Sequence, residues 1–125
     1  MQQPVDIEYV VQEYLKQFFD EPVSTGIGSS DPQVVLFTTG GSEVTLVSAR
    51  PRVVFDCYGA TEGQAINLAN KVWARVKNLE CRVVGGVQFY DVEATLPMNL
   101  PHPDRPDVYR RQFNAIIHTR HERVS

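Results

Sequence analysis

The chain has 125 residues and carries 12 lysines and arginines against 15 aspartates and glutamates, a formal net charge of −3 at pH 7. A chain of this length is expected to fold as one domain, residues 1–125, and to bury enough surface to be stable without a metal or a disulfide. The slight acidic excess argues against a dedicated nucleic-acid-binding protein, which normally carries a basic surplus, although DNA could still pass close by without being held.

Secreted and membrane-spanning proteins are also disfavoured. The segment Met1–Pro4 is not basic and precedes no apolar run, so we expect no secretory signal. No apolar stretch approaches the roughly 18 residues of a membrane-spanning helix, and we expect no membrane partner. Cys57 and Cys81 are predicted to be small, reduced thiols, with a disulfide as the alternative.

An amphipathic helix is predicted over residues 5–19. Asp6 and Glu8 place negative charge in its first turn, where the helix dipole favours it. The helix should end at Asp20-Glu21-Pro22, because the residue before a proline avoids helical angles. We expect its apolar face to cover the core; binding to a partner is the alternative. That face contains residues three and four positions apart: Ile7, Val10, Val11, Tyr14, Leu15, Phe18 and Phe19.

A β-hairpin is predicted next, after a loop over residues 23–32 with room for a short strand at Val23–Ile27. Its strands are expected at Gln33–Thr38 and Ser42–Ser48. Gly40-Gly41 should form the tight turn between them, because hairpin turns need positive φ angles that glycine adopts at little cost. Residues 49–51 then form a short corner.

A strand, a helix and a second strand follow over residues 52–91, and the rest of the chain is organised around them. The first strand, Arg52–Tyr58, is rich in β-branched and aromatic residues. The helix, residues 62–79, opens with the capping box Thr61-Glu62-Gly63-Gln64. The second strand begins at Arg82 and contains Gly85-Gly86, a pair that indicates a bulge or bend.

A proline-rich loop, Leu96–Asp107, separates this strand from the last one. Four prolines in twelve residues should keep the loop out of the sheet and stiffen it. The last strand, Val108–Arg120, alternates strictly, so Arg110 and Arg111 point to opposite faces. These elements predict an α+β fold: a single mixed, mostly antiparallel sheet with two amphipathic helices packed on it, in the order α-β-β-β-α-β-β.

Motifs for catalysis or cofactor binding are weak in this sequence. The Gly26-x-Gly28 and Gly85-Gly86 pairs match no phosphate-binding fingerprint. His102 lies near Asp104 and Asp107, but the spacing matches no metal-ligand pattern. Neither cysteine lies in a nucleophile motif. We therefore expect no enzyme activity, no catalytic residue, no cofactor and no metal.

Three stretches resemble the tail terminator proteins of long-tailed bacteriophages, especially those of actinobacteria. The first is the strand and helix start that run from Arg50 to Ala65, and the second is the Gly85-Gly86 strand. The third is Asn99-Leu-Pro-His-Pro-Asp followed by the strand Val108–Arg120, with its Tyr-x-x-x-Phe pattern. With the first helix the resemblance covers nearly the whole chain, while residues 22–48 match nothing in particular.

The resemblance implies a structural virion protein that assembles in the host cytoplasm. Such proteins form a six-fold ring at the head-proximal end of the tail tube, stop tube polymerisation and join the tail to the head connector. The expected partners are further copies in a homo-hexamer, the tail tube protein and the head-closure or connector protein. DNA would pass through the lumen without specific binding. Affinity for DNA comes mainly from the neutralisation of its phosphates by basic side chains, and this chain carries a net charge of −3.

Candidate interface residues are chosen because they are expected to be exposed and, in the proline-rich loop, to lie on a stiff backbone. The apolar residues of the proline-rich loop are expected to contact a neighbouring subunit or the tube, with charged residues at a polar rim. Folding back onto the same subunit is the alternative for this loop, and the Gly40-Gly41 hairpin is a second place for the interface. The exposed arginines fit either solvated edges or ion pairs between subunits. The candidates are Leu96, Met98, Leu100, Asp104, Arg105, Asp107, Gly40, Gly41, Arg50 and Arg52.

Two other functions stay open from sequence alone. One is a small α+β ligand-binding or regulatory domain, which would be a stable monomer or dimer with a deep pocket. The other is a related head–tail connector or head-closure protein. Solution mass separates the ring from the ligand-binding domain.

Overall fold

In the computed structural model, which describes residues 2–28, 32–45 and 47–123, two helices cover one face of a seven-stranded sheet. Residues 29–31 of the predicted loop and Leu46 of the predicted hairpin lie outside these ranges. The elements are β1 (Gln2–Gln3), α1 (Ile7–Lys16), β2 (Val23–Ser24), β3 (Gln33–Thr45), β4 (Ser48–Gly59), α2 (Glu62–Lys77), β5 (Val83–Val84), β6 (Val87–Ala94), β7 (Met98–Asn99), β8 (Tyr109–Arg120) and β9 (Glu122–Arg123).

The strands of the sheet follow the order β2-β3-β4-β8-β6-β5, and β7 pairs with β8 beyond the end of β6. All neighbours are antiparallel except β2 and β3, which are parallel, so the sheet is mixed. β1 and β9 form a separate two-stranded pair. The predicted α+β class is confirmed, and α-β-β-β-α-β-β describes its helices and main strands when β2 is counted.

The helix α2 begins as its sequence predicts. The Thr61 hydroxyl accepts a hydrogen bond from the Gln64 amide at 3.1 Å. The Gln64 side chain reaches back one residue further than expected, to the amide of Ala60 at 2.7 Å. Gly59 allows this tight connection, because a Cβ there would lie 2.6 Å from the backbone nitrogen of Ala65. α2 ends at Lys77, two residues before the predicted end, although Leu79 is still fully buried.

The helix α1 is shorter than predicted, with Asp6 as its N-cap rather than in its first turn. The Glu8 carboxylate accepts hydrogen bonds from the amide and hydroxyl of Thr38, at 2.8 and 3.1 Å, and so ties α1 to β3. The Tyr14 hydroxyl donates to the Arg75 carbonyl at 2.8 Å and ties α1 to α2. These contacts place both helices on the same face of the sheet.

The predicted turn at Gly40-Gly41 is wrong. β3 continues through both glycines to Thr45, and the chain reverses between Thr45 and Ser48, which pair with each other. Gly40 and Gly41 instead form a bulge with φ angles of 96° and 129°, at a shift in the β3–β4 register. Gly41 lies opposite Pro51, and a Cβ on Gly41 would fall 2.2 Å from the Arg50 carbonyl oxygen. Close approach at a bulge, not chain reversal, therefore explains the pair.

Gly85-Gly86 provides the tight hairpin instead. Val84 pairs with Val87, which leaves the two glycines as a two-residue loop with φ angles of 58° and 76°. Positive φ at both positions is the requirement of a type I′ turn. The predicted bend is therefore a complete turn between β5 and β6.

The proline-rich loop is also closer to the sheet than predicted. Met98 pairs with Gln112, and the Leu100 amide donates to the Arg110 carbonyl at 3.1 Å. Since alternate residues of a strand point their amides in opposite directions, Pro97 and Pro101 fall where an amide would face away from β8. The prolines therefore remove donors only from the outer edge, and the prediction that they exclude the segment from the sheet is wrong.

The main core lies between the sheet and the helices. Phe55 and Phe113 are fully buried and stack with ring centroids 4.8 Å apart. The predicted thiols are free: Cys57 is buried in this core, and Cys81 is exposed. Among the described residues, no helix combines the length and apolar character needed to cross a bilayer.

Candidate interaction surfaces on the open face of the sheet

The second face of the sheet, opposite the helices, is only partly covered and holds most of the predicted interface residues. We call it the open face. Alternation along β4 places Val53, Phe55 and Cys57 in the main core and turns the intervening residues to the open face. The register of β4 with β8 brings Arg52 beside Ile116 and Asp56 beside Gln112.

The proline-rich segment, residues 96–107, lies at one end of the open face, and we call it the arm. The His102 ring lies 6.2 Å from the ring of Tyr58, centroid to centroid. Tyr58 is buried together with Val35 and Val108 in a small second apolar cluster. The arm therefore folds back onto its own subunit, as the alternative prediction had it, while part of its surface remains exposed.

An anchor between the arm and β8 is provided by Arg110. Its guanidinium donates to the carbonyls of Leu100 and Pro101, at 2.6 and 3.4 Å, and lies 3.6 Å from the Asp56 carboxylate. Gln112 donates to the same carboxylate at 2.7 Å. Burial raises the pKa of Asp56, although Gln112 and Arg110 offset part of that effect. Arg110 thus has a structural role in holding the base of the arm.

The predicted separation of the two adjacent arginines is confirmed. Arg111 lies toward the helix face and pairs with Glu62, at the start of α2, at 3.0 Å. Arg110 lies on the open face. They do not form one basic patch.

An apolar row runs along the exposed border of the arm. Leu96, Met98 and Leu100 are 73%, 47% and 37% exposed. Met98 pairs with Gln112 and Leu100 is bonded to Arg110, so the row borders the open face. Three exposed apolar side chains therefore lie on a backbone fixed by β8 and by prolines. We call this the edge row.

The remaining arm candidates are charged. Asp104 and Asp107 are exposed, and Arg105 is partly buried and has interactions of its own. His102 takes part in the turn, because its Nδ1 accepts from the Asp104 amide at 3.1 Å. In the described part of the chain, no three histidine, cysteine, aspartate or glutamate side chains are grouped to hold a metal ion. The absence of metal, cofactor and catalysis stays a prediction.

A cluster of charged side chains lies at the other end of the open face. The Arg50 guanidinium binds the Asp91 carboxylate through two contacts, at 3.0 and 3.2 Å, and His118 contacts the same carboxylate at 3.1 Å. Burial opposes ionisation of Asp91, but His118 and Arg50 outweigh it and lower the pKa of this group. Glu93 lies 3.9 Å from Arg50. Arg50 is therefore paired with acidic groups of its own chain.

Arg52 differs from Arg50 in its surroundings. It is exposed, and no hydrogen bond or ion pair joins its side chain to any residue in the described ranges. It lies between two adjoining cavities of about 400 and 470 Å³ that share Arg52, Glu93 and Ile116. We call the two together the Arg52 groove. Its further lining residues are Thr39, Gly41, Ser42, Arg50, Ala94, Thr95 and Asn114.

Sequence reasoning therefore identified residues of two surfaces but not how they are assembled. Gly41, Arg50 and Arg52 meet in the groove, and Gly40 lies beside it in the bulge. The sequence missed Asp91 and Glu93, whose positions depend on a register shift in β6. The alternation of β8 already placed Ile116 and His118 on one face, which was the available signal.

Comparison with known proteins finds no family model and no curated protein that matches this chain. One solved structure, described as "Virion of native gene transfer agent (GTA) particle", contains a chain similar to this one, with a TM-score of 0.64 and 14% sequence identity. The match covers 94% of this chain and 95% of that chain. At this identity the likeness establishes a shared fold over nearly the full length of both chains.

Proposed function

We propose that this protein is a structural component of a phage-type virion. The observation that carries the proposal is the fold shared, end to end, with a chain of the gene transfer agent virion. The exposed edge row supports it, because rigid exposed apolar groups are typical of surfaces that are covered in an assembly.

Within the virion we propose the role of tail terminator. The protein forms a homo-hexameric ring at the head-proximal end of the tail tube, ends tube polymerisation and joins the tail to the head-closure or connector protein. A head-to-tail interface closes into such a ring when its rotation closes. The net charge of −3 is compatible with DNA sliding through the lumen without being bound.

The test is tail assembly with and without this protein. Tails assembled without it should have uncontrolled lengths, and tails assembled with it should have one length and a ring at one end in electron micrographs. Light scattering should give either several times the 14.1 kDa of one chain or a monomer that assembles only on tubes. A stable small species that leaves tail length unchanged would contradict the proposal.

Substitutions in the edge row test the capping role more specifically than replacement of the whole arm would. Because β7 pairs with β8 and the arm covers Tyr58, replacing the arm with a flexible linker would damage the fold as well. Leu96→Asp with Met98→Asp changes only exposed positions and should abolish capping while leaving the unfolding midpoint within a few degrees. Val83→Asp, at an exposed valine of β5, is the matched control.

A further inference from the structure

The strongest unassigned feature is the Arg52 groove, because the exposed Arg52 side chain has no partner among the described residues. Asp91, beside the groove, binds Arg50 and His118, and Glu93, which lines the groove, lies 3.9 Å from Arg50. Ile116, which pairs with Arg52 across β4 and β8, provides apolar surface in the groove. The groove therefore suits a segment with a carboxylate next to apolar or proline residues.

This chain contains such a segment. The arm presents Asp104 and Asp107 as exposed carboxylates among prolines. Its backbone is held by Arg110 and by pairing with β8, so little conformational freedom would be lost when it docks.

The carboxylates of the arm lie away from the groove of their own subunit, although the arm itself begins at Leu96, directly after Thr95 of the groove lining. His102 lies over Tyr58, and the groove surrounds Arg52, six positions earlier on β4. At roughly 3.3 Å per residue Tyr58 and Arg52 are about 20 Å apart along the strand. Contact between the arm's carboxylates and Arg52 would therefore join two copies, through different patches on each, which is the geometry of a head-to-tail interface.

We propose that the arm of one copy docks into the Arg52 groove of the next, with Asp104 and Asp107 facing Arg52 of the neighbour. The inference rests on the proposed ring and identifies its subunit interface. Arg52 is the residue that selects the partner, and Arg50 holds the floor of the groove through Asp91.

Reversal of the charge on either side of the interface provides the test. In a head-to-tail interface, a groove variant and an arm variant that each fail to assemble alone should assemble when mixed. The groove variant Arg52→Glu should repel the acidic arm of its own kind. The arm variant Asp104→Lys with Asp107→Lys should repel the unchanged Arg52 of its own kind. Each alone should need at least a tenfold higher concentration than the unchanged protein to form rings, since like charges in contact disfavour association strongly.

A one-to-one mixture of the two variants should restore rings. The acidic groove of the first variant then meets the basic arm of the second, and the unchanged groove of the second meets the unchanged arm of the first. The two variants therefore alternate around the ring. Lys71→Glu, at an exposed position of α2 on the other face, is the control and should assemble normally. Arg52→Gln, which removes charge without reversing it, should give an intermediate loss.

Assembly is measured by light scattering and, for a free protein that stays monomeric, by the capping of tail tubes. Rings formed by either variant alone at the ordinary concentration would overturn the inference. So would two inactive variants whose mixture stays inactive. If the unchanged protein neither forms rings nor caps tubes, the proposed function itself fails, and that result is distinct from failure of the variants alone.

Discussion

The two faces of the sheet are built from the same strands, but their side chains differ in burial and in charge. Along β8, Phe113, Ala115 and Ile117 are fully buried under the helices, while the alternating positions Asn114, Ile116 and His118 remain partly exposed. The helix face gains its stability from apolar packing. The open face has ion pairs, the Arg52 groove, an apolar border and only a small buried cluster of Val35, Tyr58 and Val108.

The largest expected effect tests the helix face. Phe113→Ala should lower the free energy of unfolding by roughly 3–5 kcal/mol, because it removes a fully buried ring that stacks on Phe55. Ile116→Ala, three positions along the strand on the open face, should lower it by about 1 kcal/mol or less. Urea titration of both variants measures the difference, and equal losses would mean that the open face is also core.

Substitution of Trp73 tests the contact between α2 and the end of β6. It is half-buried on α2, and its indole N–H donates to the Thr95 carbonyl at 3.0 Å beside the arm. Trp73→Ala should cost about 2 kcal/mol, less than a fully buried tryptophan, and Trp73→Phe about 1 kcal/mol for the lost hydrogen bond. A loss below about 1 kcal/mol for the alanine variant, measured by urea denaturation, would show that α2 does not hold this end of β6.

Asp91 gives the open face a pH dependence. Its pKa is lowered in the folded protein, so its contribution to stability is present above the unfolded value of about 3.9 and is lost as pH falls through the folded value. Asp91→Asn should therefore be less stable than the unchanged protein at pH 6, by less than the Trp73→Ala loss. The two should converge in denaturation measurements below about pH 4. A constant difference over that range would mean that the Arg50–Asp91 pair is not the cause.

The last prediction concerns the reactivity of the two cysteine thiols rather than the stability of the fold. Cys81 is exposed, whereas Cys57 lies in the core, where burial and the charge of Asp56 raise the pKa of its thiol. A thiol reagent should therefore modify one cysteine in the native protein and two after denaturation, without added reductant. Two fast thiols in the native state would mean that the core beneath α2 opens readily, and none after denaturation would indicate a disulfide.

The paired glycines show where local sequence stops being decisive. Gly40-Gly41 and Gly85-Gly86 both adopt positive φ angles, which any Gly-Gly pair permits. Only the second reverses the chain, because Val84 and Val87 pair directly across it. The first is held in a bulge opposite Pro51 while the strand continues to Thr45. The residue across the sheet decides between the two outcomes, and that residue is not adjacent in sequence.

The sequence by itself determined the start of α2 and the division of β8 between two faces. The capping residues of α2, the alternation of β8 and the opposite directions of Arg110 and Arg111 all follow from nearest-neighbour geometry. Tertiary structure decided the register and therefore the sites. It brought Arg52 beside Ile116 and Glu93 and gave Arg50 the Asp91 carboxylate, while the Arg52 side chain has no hydrogen bond or ion pair in the described part of the chain. It also placed Pro97 and Pro101 of the arm at the outer edge of β7. These outcomes depend on contacts between residues 12 to 64 positions apart, whose alignment is set by the packing of the whole sheet.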